Sequence, residues 1–295
     1  WLSSHRNKFD TLFIGSSRVN QQISPEIFDA RMSERGMPTR SLNLGIDAMT
    51  FPELPYFFDC VLQSKPKHLR NVVFDLNGLR QKADQSDLQS LRSIYWHNFH
   101  YTAMVWKSIW YSEQPDSLAK RVGWLAIHAR LLLLNMANIG GGAEWIKETA
   151  IPPLITPLRN AGYSPVHRQM SADDRAEYAT LLEKMEAAEP RATKPDRALA
   201  AAFDELLAKI ERSNVHSFFF IGSTVTMTRP LTPQTKDHEK CVVFEFDNPT
   251  QFPALYDPAN RQNTQHLNSE GSELFTVLLA DLISASLEER ARADR

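Results

Sequence analysis

Cysteine is scarce in this chain. Cys60 and Cys241 are the only two in 295 residues, and without CxxC spacing they supply neither a zinc ribbon nor a disulfide framework. Whether they pair is not readable from the sequence. Excess charge of one sign is missing too: 33 basic against 35 acidic residues leave a net charge of -2, so no global basic field draws in nucleic acid or anionic lipid, and a partner has to be read from local chemistry. Long apolar runs are absent. The longest, around Trp124 to Ile139 with Leu131–Leu134 at its centre, is interrupted by His128 and Arg130; it falls short of the roughly 20 apolar residues of a membrane span and reads as a buried helix. There is no Walker loop, no GxGxxG and no interleaving of basic with aromatic residues, so neither nucleotides nor nucleic acids are supported and no cofactor is expected. The chain begins at Trp1 without a charged-then-apolar signal pattern. A processed or truncated start is expected, with any targeting segment or anchor outside these residues.

What is present is core-forming: 42% hydrophobic and 23% charged residues suffice for one large core or two modest ones. Thr11-Leu12-Phe13-Ile14 is a short apolar run ending at Gly15, as in a parallel strand covered on both faces. Residues 25–35 have helical spacing at Ile27, Phe28 and Met32. Arg40 to Leu44 leads into Gly45 as a second strand. A helix opens at Pro52-Glu53 and runs through Leu62, Pro66 ends it, and Asn71 to Phe74 forms a third strand. This β-α-β-α-β series with short connections predicts an α/β fold of flavodoxin-like type: three layers around a doubly wound parallel sheet.

From about Gln81 to Ser213 strand-like alternation disappears and the chain reads as helical. Five of the six tryptophans (Trp96, Trp106, Trp110, Trp124, Trp145) fall here. Ser171 with Asp174 makes a capping box for a helix to about Glu189; a second helix from Pro195 to about Arg212 places Leu199, Phe203, Leu206, Leu207 and Ile210 on one face. Gly140–Gly142 and the prolines at 152, 153 and 157 mark loops. Sheet resumes at Val215 to Ile221 and Val242 to Phe244, and Ser269 to Leu287 closes the chain as a helix. The organisation predicted is one α/β domain over 1–295 with a helical insertion at 81–213, expected to cover the carboxyl ends of the strands, where α/β folds place specificity.

Four short stretches lie where an acyl-transfer site needs them. Gly15-Ser16-Ser17-Arg18 follows the first strand, Asn43-Leu44-Gly45 the second and Asp75-Leu76-Asn77-Gly78 the third, while His266-Leu267-Asn268 precedes the last helix. Taken singly each reads plainly: a helix N-cap, a strand-end glycine that permits positive φ, an Asn-Gly turn, a structural histidine. Their order is what points to chemistry, because open parallel sheets present ligand-binding groups at the carboxyl ends of different strands.

That order resembles the SGNH (GDSL-like) hydrolase superfamily, whose four blocks carry Ser, Gly, Asn and His. The resemblance covers roughly residues 8–80 and 215–290. It implies Ser17 as nucleophile, Ser16 standing where the family has Asp; Gly45 and Asn77 as oxyanion donors; and His266 as general base, within a block close to the family's Asp-x-x-His-Leu-Asn-x-x-Gly. The third block keeps the family's Asn but differs at its first and last positions, Asp75 and Gly78, and in the last block the family acid three residues before the histidine is Asn263 here. Three routes are open: Asp257 swings in from the preceding loop, a backbone carbonyl orients the ring, or the site is degenerate. The resemblance further implies a serine esterase or O-acyltransferase acting on an acylated glycan or similar small ester, in the cell envelope or periplasm, although the residues themselves do not decide against the cytoplasm. A non-enzymatic binding or scaffold protein on the same fold is the competing expectation. His97 and His100 share one helical face as a candidate metal pair, but no third ligand is suitably spaced and no metal site is expected. Arg18 reads as an anion contact or a helix salt bridge, with the latter favoured.

Overall fold

The computed structural model describes residues 5–50, 53–76, 87–89, 91–111, 117–139, 159–187, 191–192, 197–226, 228–229 and 241–293. Asn77, Gly140–Gly142, Trp145 and the three prolines at 152–157 lie outside the described residues. The main sheet has five parallel strands, β1 (Thr11–Gly15), β2 (Ser41–Gly45), β3 (Asn71–Asp75), β4 (His216–Ile221) and β5 (Cys241–Glu245), in the order β2-β1-β3-β4-β5. The chain therefore steps outward from β1 to β2 and returns past β1 to β3, which opens a crevice at the carboxyl ends of β1 and β3. In register, Gly15 pairs with Gly45 and Asp75 with Phe220.

Apolar alternation in the strands feeds two separate cores. Leu12, Ile14, Val72, Phe74 and Phe219 pack with α3 (Glu53–Gln63) and α8 (Arg197–Arg212) on one face. Phe13, Val73, Phe218 and Phe220 pack on the other face with α1 (Ser17–Gln22), α2 (Pro25–Glu34) and α9 (Ser269–Ala293). The result is a three-layer α/β fold.

The described residues between β3 and β4 pack in three places. α8 is a layer helix of the sheet: Phe203, Leu206, Leu207 and Ile210 are buried against it, as their spacing predicts. α7 (Ala172–Ala187) starts with the expected reciprocal box, in which the Asp174 amide donates to Ser171 Oγ at 3.1 Å and the Ser171 amide to Asp174 Oδ2 at 3.2 Å. It buries Tyr178 and Met185 on the opposite face of the sheet. α4 (Leu91–Trp96), α5 (Phe99–Tyr111) and α6 (Leu118–Met136) make a third cluster with its own core. That cluster packs as an outer layer over α3 and α8: Tyr101 donates to Asp59, and His100 faces Glu205 at 3.2 Å.

Residues from the 81–213 stretch reach the carboxyl edge at two points. Arg92 of α4 binds Glu53 at 2.9 Å and the Asp47 carbonyl at 2.8 Å. The segment 159–167 crosses the end of β2, where Ser164 donates to the Asn20 carbonyl and Gly162, at φ +91°, lies so close that a Cβ would sit 2.0 Å from the Asn43 oxygen.

His97 and His100 diverge. His97 is buried, and its Nδ1 contacts the Ser93 carbonyl, so that nitrogen carries the proton and Nε2 accepts from His128 Nδ1 at 2.7 Å. Burial pushes His97 down to about 4, and burial together with its neighbour pushes His128 down to about 3. Among the described residues no three His, Cys, Asp or Glu side chains converge as metal ligands. Both cysteines are free, and no described helix is long and apolar enough to cross a membrane.

Candidate active site

β1 ends at Gly15, and Ser16, in extended conformation, caps α1 by accepting from the Arg18 amide. The same hydroxyl donates to Asp75 Oδ2 at 2.5 Å, joining the end of β3 to the serine turn. Asp75 is fully buried. Ser17 follows as the first residue of α1, half-buried and open to the crevice side of the turn. The glycines that precede this geometry are there for clearance. Neither Gly15 nor Gly45 has positive φ, contrary to the reading of Gly45 as a turn-permitting residue. A Cβ on Gly15 would lie 2.5 Å from that of Asp75, and one on Gly45 would lie 2.2 Å from the Asn20 nitrogen. Gly45→Ala is accordingly expected to push α1, and Ser17 with it, off β2. Thermal unfolding should show a loss of more than about 1 kcal/mol, as for overpacking against backbone, and Ser17 reactivity should fall in the same variant.

The histidine arrives on a loop built around one buried cation. Arg261, fully buried, donates to the carbonyls of Leu255 (2.8 Å), Thr264 (3.1 Å) and Asn263 (3.4 Å), while its guanidinium lies over the rings of Tyr178 at 5.1 Å and Tyr256 at 5.8 Å. Among the described residues no carboxylate pairs with it, and a buried charge of this kind persists only when its donors are satisfied in this way. The rest of the block is structural. Leu267 is buried, Asn268 Oδ1 accepts from the Gly271 amide at 3.0 Å as the cap of α9, and a Cβ on Gly271 would collide with the Asn260 oxygen.

These two turns, 249 residues apart, place Ser17 Oγ 2.7 Å from His266 Nε2. His266 Nδ1 lies 3.2 Å from Asn263 Oδ1, and that oxygen also accepts the amides of Gln265 and His266, both at 2.8 Å. Two backbone donors fix the amide with its oxygen toward the ring. Nδ1 must therefore carry the hydrogen, and Nε2 presents its lone pair to the serine hydroxyl. An Asn in place of a triad Asp is damaging when its NH2 faces the ring and enforces the wrong tautomer; here the amide keeps the competent one. What it does not supply is negative charge. Burial, with the cations Arg18 and Arg261, pushes His266 down to about 4, so the imidazole is neutral at physiological pH and able to accept a proton.

Of the residues singled out in the sequence, Ser17, His266 and Asn263 come together. Asp257 does not take part in this contact: its carboxylate accepts the Ala259 amide at 2.8 Å as the cap of the Pro258–Asn260 turn, and the orienting atom is the side-chain oxygen of Asn263. The Gly45 amide is engaged by Asn43 Oδ1 at 2.8 Å, while Asn43 Nδ2 donates to the Val19 and Ile23 carbonyls; an oxyanion there has to compete for that donor. Asn77 lies outside the described residues. Arg18 donates to Gln265 Oε1 at 3.1 Å and places its charge beside His266. Asp75 and Arg261 were missed. The Asp in the third block was the only available hint of the first, and nothing local marks Arg261 as buried.

The site and sheet define an α/β protein with a serine–histidine pair at the carboxyl edge of an all-parallel sheet. No family model, no curated protein and no solved structure matches the chain.

Proposed function

We propose that this protein is an SGNH-like serine esterase or O-acyltransferase that acts on an acylated carbohydrate or a similar ester through an acyl-enzyme, in the cell envelope. The observation that carries the reading is the hydroxyl of Ser17 at 2.7 Å from His266 Nε2 with the ring held in the proton-accepting tautomer. Ser17 Oγ attacks the ester carbonyl carbon while His266 Nε2 takes the hydroxyl proton. The tetrahedral intermediate collapses by breaking the bond to the alcohol oxygen, which leaves with the proton from His266. Water or a sugar hydroxyl, deprotonated by the same nitrogen, then attacks the acyl carbon and returns Ser17. Gly45 and Asn77 are the proposed oxyanion donors, Gly45 after exchange with Asn43 Oδ1; a donor of this kind is worth about 3 to 4 kcal/mol of barrier. Half-burial of Ser17 and His266 leaves the pair accessible to a small ester.

The competing reading, a binding or scaffold protein on this fold, is favoured by the missing carboxylate at Asn263 and by the engaged Gly45 amide. A serine-directed organophosphonate separates the two. In an esterase it labels Ser17, identified by peptide mass, and the label competes with turnover of a panel of short-chain aryl and acetylated-sugar esters. An unlabelled Ser17 in a folded protein assigns the chain to the binding class.

A further inference from the structure

The contact between Ser17 and His266 joins a helix of 6 residues, α1, to a loop closed by one antiparallel bridge between Arg261 and Leu267. A single hydrogen bond is too weak to hold two such segments in register. Two further side-chain contacts run between the same segments. Arg18 Nη2 donates to Gln265 Oε1 at 3.1 Å, and Gln262 Nε2 donates to Gln21 Oε1 at 2.9 Å. Arg18 and Gln21 lie one turn apart on α1 and so share a face. Ser17 meets His266, Arg18 meets Gln265 and Gln21 meets Gln262, so the contacts descend the loop as they ascend the helix.

The contact between Gln21 and Gln262 is fixed from both ends. Gln262 is buried. Its backbone amide donates to the His266 carbonyl at 3.1 Å, and its Nε2 donates to the Leu267 carbonyl at 3.3 Å, so one residue grips the backbone of the base and of the residue after it. On the other side, Gln21 Nε2 faces both carboxylate oxygens of Asp47, at 3.3 and 3.4 Å, and Asn20 Nδ2 donates to the same carboxylate at 3.1 Å. A carboxylate is an acceptor, so Gln21 turns its NH2 to Asp47 and its oxygen to Gln262. Gln262, set against that oxygen and the Leu267 carbonyl, presents its own NH2 to both.

We infer that Gln21 and Gln262, oriented by Asp47, are positioning residues that set the distance between the Ser17 hydroxyl and His266 Nε2. The kinetic consequence rests on the proposed reading of that pair as nucleophile and base; the geometric one does not.

The test compares Gln21→Met, which keeps the length of the side chain and removes the contact, with the exchange Gln21→Glu plus Asp47→Asn. The exchange keeps an acceptor toward Gln262 and reverses donor and acceptor toward position 47. With a short-chain aryl ester at neutral pH, Gln21→Met is expected to lower kcat about tenfold to a hundredfold while KM changes less than about twofold, as for a misplacement of about 1 Å. The exchange should restore most of that loss. Gln262→Met should show the same split between kcat and KM with a lower melting temperature, since it also takes the Nε2 donor from the Leu267 carbonyl. NMR of the imidazole nitrogens supplies a readout that needs no turnover. In wild type the His266 Nε2 resonance, identified by its loss in His266→Ala, should carry the shift of a nitrogen accepting a hydrogen bond, and in Gln21→Met it should move toward that of a free acceptor. A wild type that neither hydrolyses esters nor labels at Ser17 removes the esterase reading, and a moved Nε2 resonance then still supports the positioning role. An Nε2 resonance that stays in place in folded Gln21→Met overturns the inference whatever the turnover. So does an active enzyme whose kcat is unchanged by Gln21→Met, or a loss of kcat that the exchange leaves in place.

Discussion

Ser17→Ala and His266→Ala are each expected to reduce hydrolysis of a short-chain aryl ester by on the order of 10⁴-fold or more, with circular dichroism and melting temperature retained, because removing either member of a nucleophile–base unit removes nearly all that the unit contributes. The double variant should be little worse than either single one, since the two residues perform one step. Steady-state turnover under identical conditions checks both statements, and near-native activity in either single variant rejects the assigned pair. Ser16→Ala serves as the neighbouring control. Its hydroxyl caps α1 and donates to buried Asp75, so the variant should lose about 1 to 2 kcal/mol of stability while keeping the nucleophile and a measurable activity. That expectation is sharper than the one the sequence allows, where Ser16 merely stands in for a residue that does not attack.

The second large effect is expected at Asn263. In the native protein the neutral form of His266 is favoured, so ester hydrolysis at low pH should hold until the pH approaches about 4, where the imidazole protonates. Asn263→Asp brings a carboxylate to the atom now 3.2 Å from Nδ1. Opposite charge favours the imidazolium, so the pKa of His266 rises and the acid limb of kcat/KM moves toward neutral pH. Turnover at neutral pH should rise in the same variant, because the imidazolium formed as Ser17 loses its proton is then stabilised. Asn263→Leu should act oppositely, releasing the ring from its tautomer and lowering kcat with little change in KM. An acid limb that stays where it was in Asn263→Asp means that His266 is not the base. Asp257→Ala, which alters only the cap at Ala259, should leave the profile in place.

Much of the fold is written in short-range pattern. Runs such as Leu12-Phe13-Ile14 and Val72-Val73-Phe74 are apolar at every position because both faces of a parallel strand are covered, and the glycine ending two of them reports how closely α1 must approach. The Ser171–Asp174 box and the apolar face of α8 were legible for the same reason: capping and helical periodicity act over three or four residues. The outer layer over α3 and α8 was not legible, because burial of α5 and α6 in their own cluster and burial at the sheet edge leave the same apolar spacing in sequence.

At the site, sequence determined that Ser17 and His266 lie at the ends of the first strand and before the last helix, since each position is set by its own strand, turn or cap. Tertiary structure alone decided how they work. The tautomer depends on an amide held by two backbone donors, the stability of the histidine loop on Arg261 between tyrosines from α7 and the 253–256 turn, and the anchoring of the serine turn on a carboxylate 59 residues away. Hydrogen bonds and charge act through space over a few ångströms, and separation along the chain carries no record of them until the sheet has brought its strand ends together.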